Sequence, residues 1–78
     1  MQITLKAART NRNLTQDKAA KIIGVSKDTI SNWERGKSFP DALMIKKIEE
    51  VYEVAYNNIV FLPNNNDLIV KKLNTPFK

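Results

Sequence analysis

Gln16, Ala20, Gly24, Ile30 and Trp33 stand where two short helices crossing steeply through a tight turn require them. A turn of about 3–4 residues leaves little room at the crossing, so a small residue must face it. Ala20 meets that need, and Gly24 can take the positive φ of a sharp helix exit. Ile30 and Trp33 are three apart and share one face of the second helix, where they can pack on the first. The window Gln16–Arg35, QDKAAKIIGVSKDTISNWER, therefore constrains the fold more than any other stretch.

The chain has 78 residues, enough for one small domain with a marginal core. Compact helical packing or dimerisation is expected to help. It holds no Cys, which excludes a disulfide framework and a thiolate metal site. It holds no His, which removes the commonest general base and metal ligand. The longest apolar runs fall far below the roughly 18 residues of a membrane span. No signal-like apolar segment follows Met1, so a cytoplasmic protein with no cofactor is the default expectation.

The formal charge of +5 is unevenly spread. Residues 1–37 hold eight Lys/Arg against three Asp/Glu, residues 38–63 two against four, and residues 64–78 three against one. The basic excess coincides with the helix-pair window, as a phosphate-binding face would require. Charge alone would fit an ordinary solvated surface.

Gly and Pro are scarce and the pattern is helical, with four or five short helices. The first is expected over Thr4–Arg12, with Leu5 and Ala8 inward and Asn13 ending it in the left-handed region. Thr15 caps the second helix, with Asp17 in its first turn and Ala19, Ala20, Ile22 and Ile23 on its apolar side. Ser26 caps the third, and Arg35 and Gly36 close it. Asp41 caps a fourth through Tyr52, with Ile45, Ile48, Val51 and Tyr52 as its buried stripe. A short fifth helix, Tyr56 to Phe61, would bring Ile59 and Phe61 onto the core. Residues 1–62 form the domain and 63–78 an extension. In the extension, Pro63 and Asn64–Asp67 carry turn chemistry. The apolar run Leu68–Val70 fits a strand pairing with Val60–Leu62, an arm on a second subunit, or an unstructured tail.

From Leu5 to Leu62 the chain resembles the repressor/Cro-type helix-turn-helix family, also called lambda-repressor-like or XRE. The residues carrying the resemblance are LKAAR in the first helix, LTQDKAAKIIGVSKDTISNWERGK through the helix pair, and Pro40 before the fourth helix. The resemblance implies an all-α, compact five-helix DNA-binding domain. It further implies regulation of transcription, usually as a homodimer on a two-fold operator. Two positions depart from the family pattern. Ala19 stands where Leu is more frequent, and Glu49 where a small residue is usual.

DNA binding needs anchoring to phosphate and reading of base edges. Gln16 begins a helix, so its amide and the free N–H groups there can meet a phosphate, the role of the matching Gln in the family. The plainer reading is a polar first-turn residue. The recognition helix enters the groove by its N-terminal end. Its outward positions are Lys27, Asp28, Thr29, Ser31 and Asn32. Lys27 can donate to guanine, Asp28 can accept from cytosine N4, and Asn32 can pair with adenine or accept from a donor on the phosphate side. Thr29 and Ser31 can bond either a base or a phosphate. Asp28 equally fits a simple complement to the helix dipole. Ser26 caps the helix and can touch a phosphate. By the resemblance, Arg35, Lys37 and Ser38 meet the backbone, with Arg12 and Lys6 as further phosphate candidates. A solvated surface role is the alternative for each of these cations. The resemblance also implies that Arg9 and Glu34 form a partly buried structural pair. Trp33, Tyr52, Tyr56 and Phe61 read as core, the last three alternatively as dimer surface. Phe39 reads as a cover of the core edge or a backbone contact.

The leading expectation is a sequence-specific double-stranded-DNA-binding regulator, a repressor acting as a homodimer, with no membrane and no small-molecule ligand implied. The alternative is an antitoxin-like or other protein-interaction module that binds a partner protein through residues 56–78. An enzyme is the weakest reading, because Asp41, Glu49, Glu50 and Glu53 fit an exposed helix face and no phosphate-cradling glycine loop exists.

Overall fold

Four helices share one way of starting and one way of stopping. They are α1 (Leu5–Asn11), α2 (Gln16–Ile23), α3 (Lys27–Arg35) and α4 (Ala42–Tyr52). This is a computed structural model, and it describes residues 2–61. Each helix leaves backbone N–H groups unpaired at its first turn, and a side-chain oxygen satisfies one of them. Thr4, Thr15, Ser26 and Asp41 accept from the N–H groups of Ala7, Lys18, Thr29 and Met44 at 3.1, 3.1, 3.1 and 2.9 Å.

Each helix is closed by a left-handed residue: Asn13 (φ 60°), Gly24 (φ 95°), Gly36 (φ 76°) and Glu53 (φ 54°). The residue after it donates its N–H back into the last turn. Leu14 bonds Arg9, Val25 bonds Ala20, Lys37 bonds Asn32 and Val54 bonds Glu49, each at the carbonyl, which is the Schellman arrangement. Leu14, Val25 and Val54 then pack against the core, whereas Lys37 is exposed. The chain thus folds inward after three helices and outward after α3. A Cβ at Gly24 would meet nothing within 4 Å, so only the backbone resists substitution there. Gly24→Ala is expected to cost about 1–2 kcal/mol, and Gly24→Asn less, as measured by urea unfolding. Equal losses would remove the left-handed backbone as the cause.

The core joins all four helices. It contains Leu5, Ala8, Ala19, Ala20, Ile23, Ile30, Trp33, Ile48, Tyr52 and Ile59. Ala19 is completely buried at 0 % exposure, so its small size reflects close packing around α2 rather than a missing contact. Lys47 Nζ donates to the Ile23 carbonyl at 3.4 Å and places a cation at the C-terminus of α2.

Three expectations are corrected. The fifth helix is absent. Tyr56–Asn58 form a single 3-10 turn, and Ile59–Val60 form a strand, β2, that pairs in parallel with β1 (Ile3–Thr4). Ile3 lies opposite Ile59 and Thr4 opposite Val60. Extended backbone suits the β-branched residues at all four positions, and Ile59 still reaches the core. Second, Ile22 is 56 % exposed, because the inward arc of α2 is filled by Ala19, Ala20 and Ile23. Third, Tyr56 is 48 % exposed, which sets aside its core reading and leaves the surface alternative. Glu49, the family-atypical residue, accepts the Tyr56 N–H at 2.8 Å and ties α4 to the 3-10 turn. The extension 63–78 lies outside the described residues.

Burial pushes the Tyr52 hydroxyl up from 10.0 to about 12, with the Glu34 charge adding to the rise and Arg9 opposing it. As pH climbs past 10, the unfolded phenol loses its proton while the folded one keeps it. This contribution is complete below pH 10 and is lost toward pH 12, about 2–3 kcal/mol in all. Unfolding free energies measured along an alkaline series check this. Tyr52→Phe is expected to flatten the fall, and an unchanged fall would acquit the phenol.

Candidate nucleic-acid interface

At about 100° per residue, α3 divides into two faces. Ile30, Trp33 and Glu34 are buried. Lys27, Asp28, Ser31, Asn32 and Arg35 fall on an opposing arc of about 140°, with Lys27, Asp28 and Arg35 exposed and Ser31 and Asn32 half-buried. Thr29 lies just beyond this arc. Its hydroxyl is 2.9 Å from Ser26 Oγ, so the two hydroxyls serve the cap together.

After α3 the left-handed Gly36 turns the chain, and the N–H groups of Lys37 and Ser38 both donate to the Asn32 carbonyl, at 2.9 and 3.4 Å. Both residues are thereby held by their backbone at the end of the exposed arc. Arg35 Nη2 donates to Asn32 Oδ1 at 3.3 Å, which leaves the Asn32 amide N–H groups to face outward partners. Between Thr15 and Ser38 the exposed ions are Lys18, Lys21, Lys27, Arg35 and Lys37 against Asp17 and Asp28. This surface attracts polyanions.

Behind the exposed arc lies a buried polar cluster. Arg9 Nε donates to Glu34 Oε2 at 2.6 Å, and Arg9 Nη2 to Glu34 Oε1 at 3.2 Å. Arg9 Nη1 donates to the Leu14 carbonyl at 2.7 Å, and Gln16 Nε2 to Glu34 Oε1 at 3.0 Å. The hydrogen bond to Glu34 raises the Arg9 pKa above its already high value, so the guanidinium keeps its charge. The cluster fixes α3 to α1 and to the start of α2. No buried side-chain polar atom among the described residues lacks a partner.

The candidate residues separate in space. Gln16 is half-buried, and one amide N–H is committed to Glu34, a bond the sequence pattern did not signal. Arg12 is engaged elsewhere. Its Nη2 lies 2.6 Å from Glu53 Oε2 in an exposed pair linking α1 to the end of α4. Nothing in local sequence announces a contact across 41 residues. Lys6 is exposed on α1. Phe39 is 53 % exposed and meets Phe61 edge-on, with ring centroids 6.1 Å apart. Among the described residues, no helix is long and apolar enough to cross a membrane.

The helix-turn-helix family model matches residues 5–57, which spans all four helices. The chain is 36 % identical over 56 residues to the HTH-type transcriptional activator BcrR of Enterococcus faecalis; the match covers 72 % of this chain but only 28 % of that protein. It is 32 % identical over 72 residues to an uncharacterized HTH-type transcriptional regulator of Archaeoglobus fulgidus, covering 92 % of this chain and 100 % of that protein. It is 31 % identical over 75 residues to the HTH-type transcriptional regulator ImmR of Bacillus subtilis, covering 90 % of this chain and 59 % of that protein. With two capped helices joined at Gly24, a buried inner face on the second and a family match running through both, this chain belongs to the XRE-type helix-turn-helix family.

Proposed function

We propose that this chain is a sequence-specific double-stranded-DNA-binding transcriptional regulator. α3 enters the major groove by its N-terminal end, with Lys27, Asp28, Ser31 and Asn32 toward base edges and Thr29 beside them. Gln16, Ser26, Arg35, Lys37 and Ser38 meet flanking phosphates. Arg12 joins them only by releasing Glu53. The chain binds a two-fold operator as a homodimer and represses by occupying it.

The observation that carries this reading is the division of α3. Its inner face is locked by Ile30, Trp33 and the Arg9–Glu34 pair, and its outer arc carries polar and cationic groups. The relatives named as transcriptional regulators support it. One relative is named an activator, and repression is proposed from operator occupancy alone.

Gel-shift titration with DNA selected from a random pool tests the proposal. Salt-sensitive, sequence-selective binding by the chain alone is expected, with two half-sites in the selected DNA. Binding that is absent without a partner protein would sink it. A second reading, a protein-interaction module, draws on the exposed apolar surface around Phe39 and Tyr56. Partner-dependent binding in the same titration would favour it.

A further inference from the structure

One carboxylate stands between the start of α2 and the reading helix. Glu34 Oε1 accepts from Gln16 Nε2 at 3.0 Å and from Arg9 Nη2 at 3.2 Å, while Oε2 accepts from Arg9 Nε at 2.6 Å. Arg9 Nη1 in turn donates to the Leu14 carbonyl at 2.7 Å, just ahead of Gln16 in the chain. These bonds close a ring. It runs from Arg9 to Leu14, along the backbone to Gln16, through Glu34 and back to Arg9. Among the described residues, Gln16–Glu34 is the only side-chain hydrogen bond between α2 and α3. The other buried residues of the two helices are apolar: Ala19, Ala20 and Ile23 on α2, Ile30 and Trp33 on α3.

We propose that Gln16 is a positioning residue for base reading, coupling phosphate contact at the start of α2 to the setting of α3 in the groove. The inference rests on the DNA-binding reading above and deepens it. Apolar packing is non-directional, so Ile30 and Trp33 by themselves tolerate small rotations and slides of α3. Hydrogen bonds are directional, and a binding constellation needs its groups held within about 0.5 Å and 10–20°. The ring supplies that constraint at Glu34, on the same helix as Ser31 and Asn32 and in its last turn.

The ring also fixes which way the Gln16 amide faces. A carboxylate only accepts, so the amide nitrogen must turn to Glu34, and its second N–H is left for a phosphate. Arg9 balances the Glu34 charge, so that phosphate does not meet a bare anion. A simple phosphate anchor needs no bond to the reading helix. The link through a buried carboxylate on α3 is what a positioning role accounts for.

Fluorescence anisotropy with the full chain tests this, on DNA selected from a random pool and on an unrelated duplex, under conditions where circular dichroism shows each variant folded. Gln16→Met keeps the length of the side chain and removes its hydrogen bonds. A phosphate contact alone predicts equal weakening on both DNAs. Positioning predicts a further loss confined to the selected DNA, so that the ratio of the two affinities falls about five-fold or more. Combined with Asn32→Ala, the loss on selected DNA is expected to fall short of the product of the two single losses by a similar factor. Ile48→Val, which shortens a core side chain on α4, is expected to leave the ratio unchanged, since a less stable domain still reads the same bases. An unchanged ratio in Gln16→Met, or single losses that simply multiply, would overturn the coupling while the DNA-binding reading stands. A wild-type chain without selectivity overturns that reading, and the coupling with it.

Discussion

Glu34→Ala is expected to remove about 3–5 kcal/mol of folding free energy. The Glu34 carboxylate takes three hydrogen bonds, two from Arg9 and one from Gln16, and the two ion-pair side chains are 8 % and 5 % exposed. Deleting it strands the Arg9 guanidinium, which burial disfavours and which cannot shed its proton. A small domain of marginal stability has little to spare, so the variant should be largely unfolded at growth temperatures. Far-ultraviolet circular dichroism during urea titration checks this. Replacing both partners with apolar residues, Arg9→Met with Glu34→Leu, is expected to recover most of the loss, because no buried charge is left behind. Arg12–Glu53 supplies the contrast. At 44 % and 62 % exposure, that pair is expected to contribute under about 1 kcal/mol. Similar losses from breaking either pair would mean that burial of Arg9–Glu34 does not govern its energetics.

The second large effect concerns the proposed interface. Raising monovalent salt from about 50 to 200 mM is expected to weaken operator binding by about 10²–10³-fold, the range for two to three phosphate cations on each half of a dimer. Lys37→Ala should flatten the log–log salt slope by about one unit per protomer and weaken selected and unrelated DNA alike. Asn32→Ala should act differently, with a loss of about 1–3 kcal/mol confined to DNA that carries the preferred base. Fluorescence anisotropy across a salt series separates the two. A salt slope unchanged by Lys37→Ala would remove that lysine from the phosphate set, and equal loss on all sequences by Asn32→Ala would remove that side chain from base reading.

Much of this fold is legible because its signals are local. Thr15, Ser26 and Asp41 act on N–H groups three residues away, and Asn13, Gly24 and Gly36 suit the left-handed region by their own chemistry. What escaped the sequence depends on distant partners or on competition for space. Glu53 closes α4 at positive φ although its side chain offers no local reason to do so. Ile22 is apolar yet outward, because burial is decided by which residues fill the arc first. β1 and β2 are two residues each, too short for any periodicity to announce them, and they come from opposite ends of the described chain. Within the candidate site, helical spacing places Lys27, Asp28, Ser31 and Asn32 on the outward arc of α3 but misplaces Thr29, whose hydroxyl pairs with the Ser26 cap. The Arg9–Glu34 contact was implied only by resemblance, and the Gln16–Glu34 bond required coordinates.

The β1–β2 pairing also sets an order of opening. Bringing Ile3 beside Ile59 closes a loop of more than fifty residues for only two ladder positions, whereas each helix is stitched by bonds within one turn. Loop-closure entropy weighs heavily on so short a ladder, and packing of Ile59 and Ile3 on the core is what offsets it. Amide hydrogen exchange is therefore expected to be faster at this two-position ladder than in α2 and α3, and equal protection would remove the seam as the weak point. On that expectation the domain opens first where its two strands meet, with the helix pair keeping its geometry.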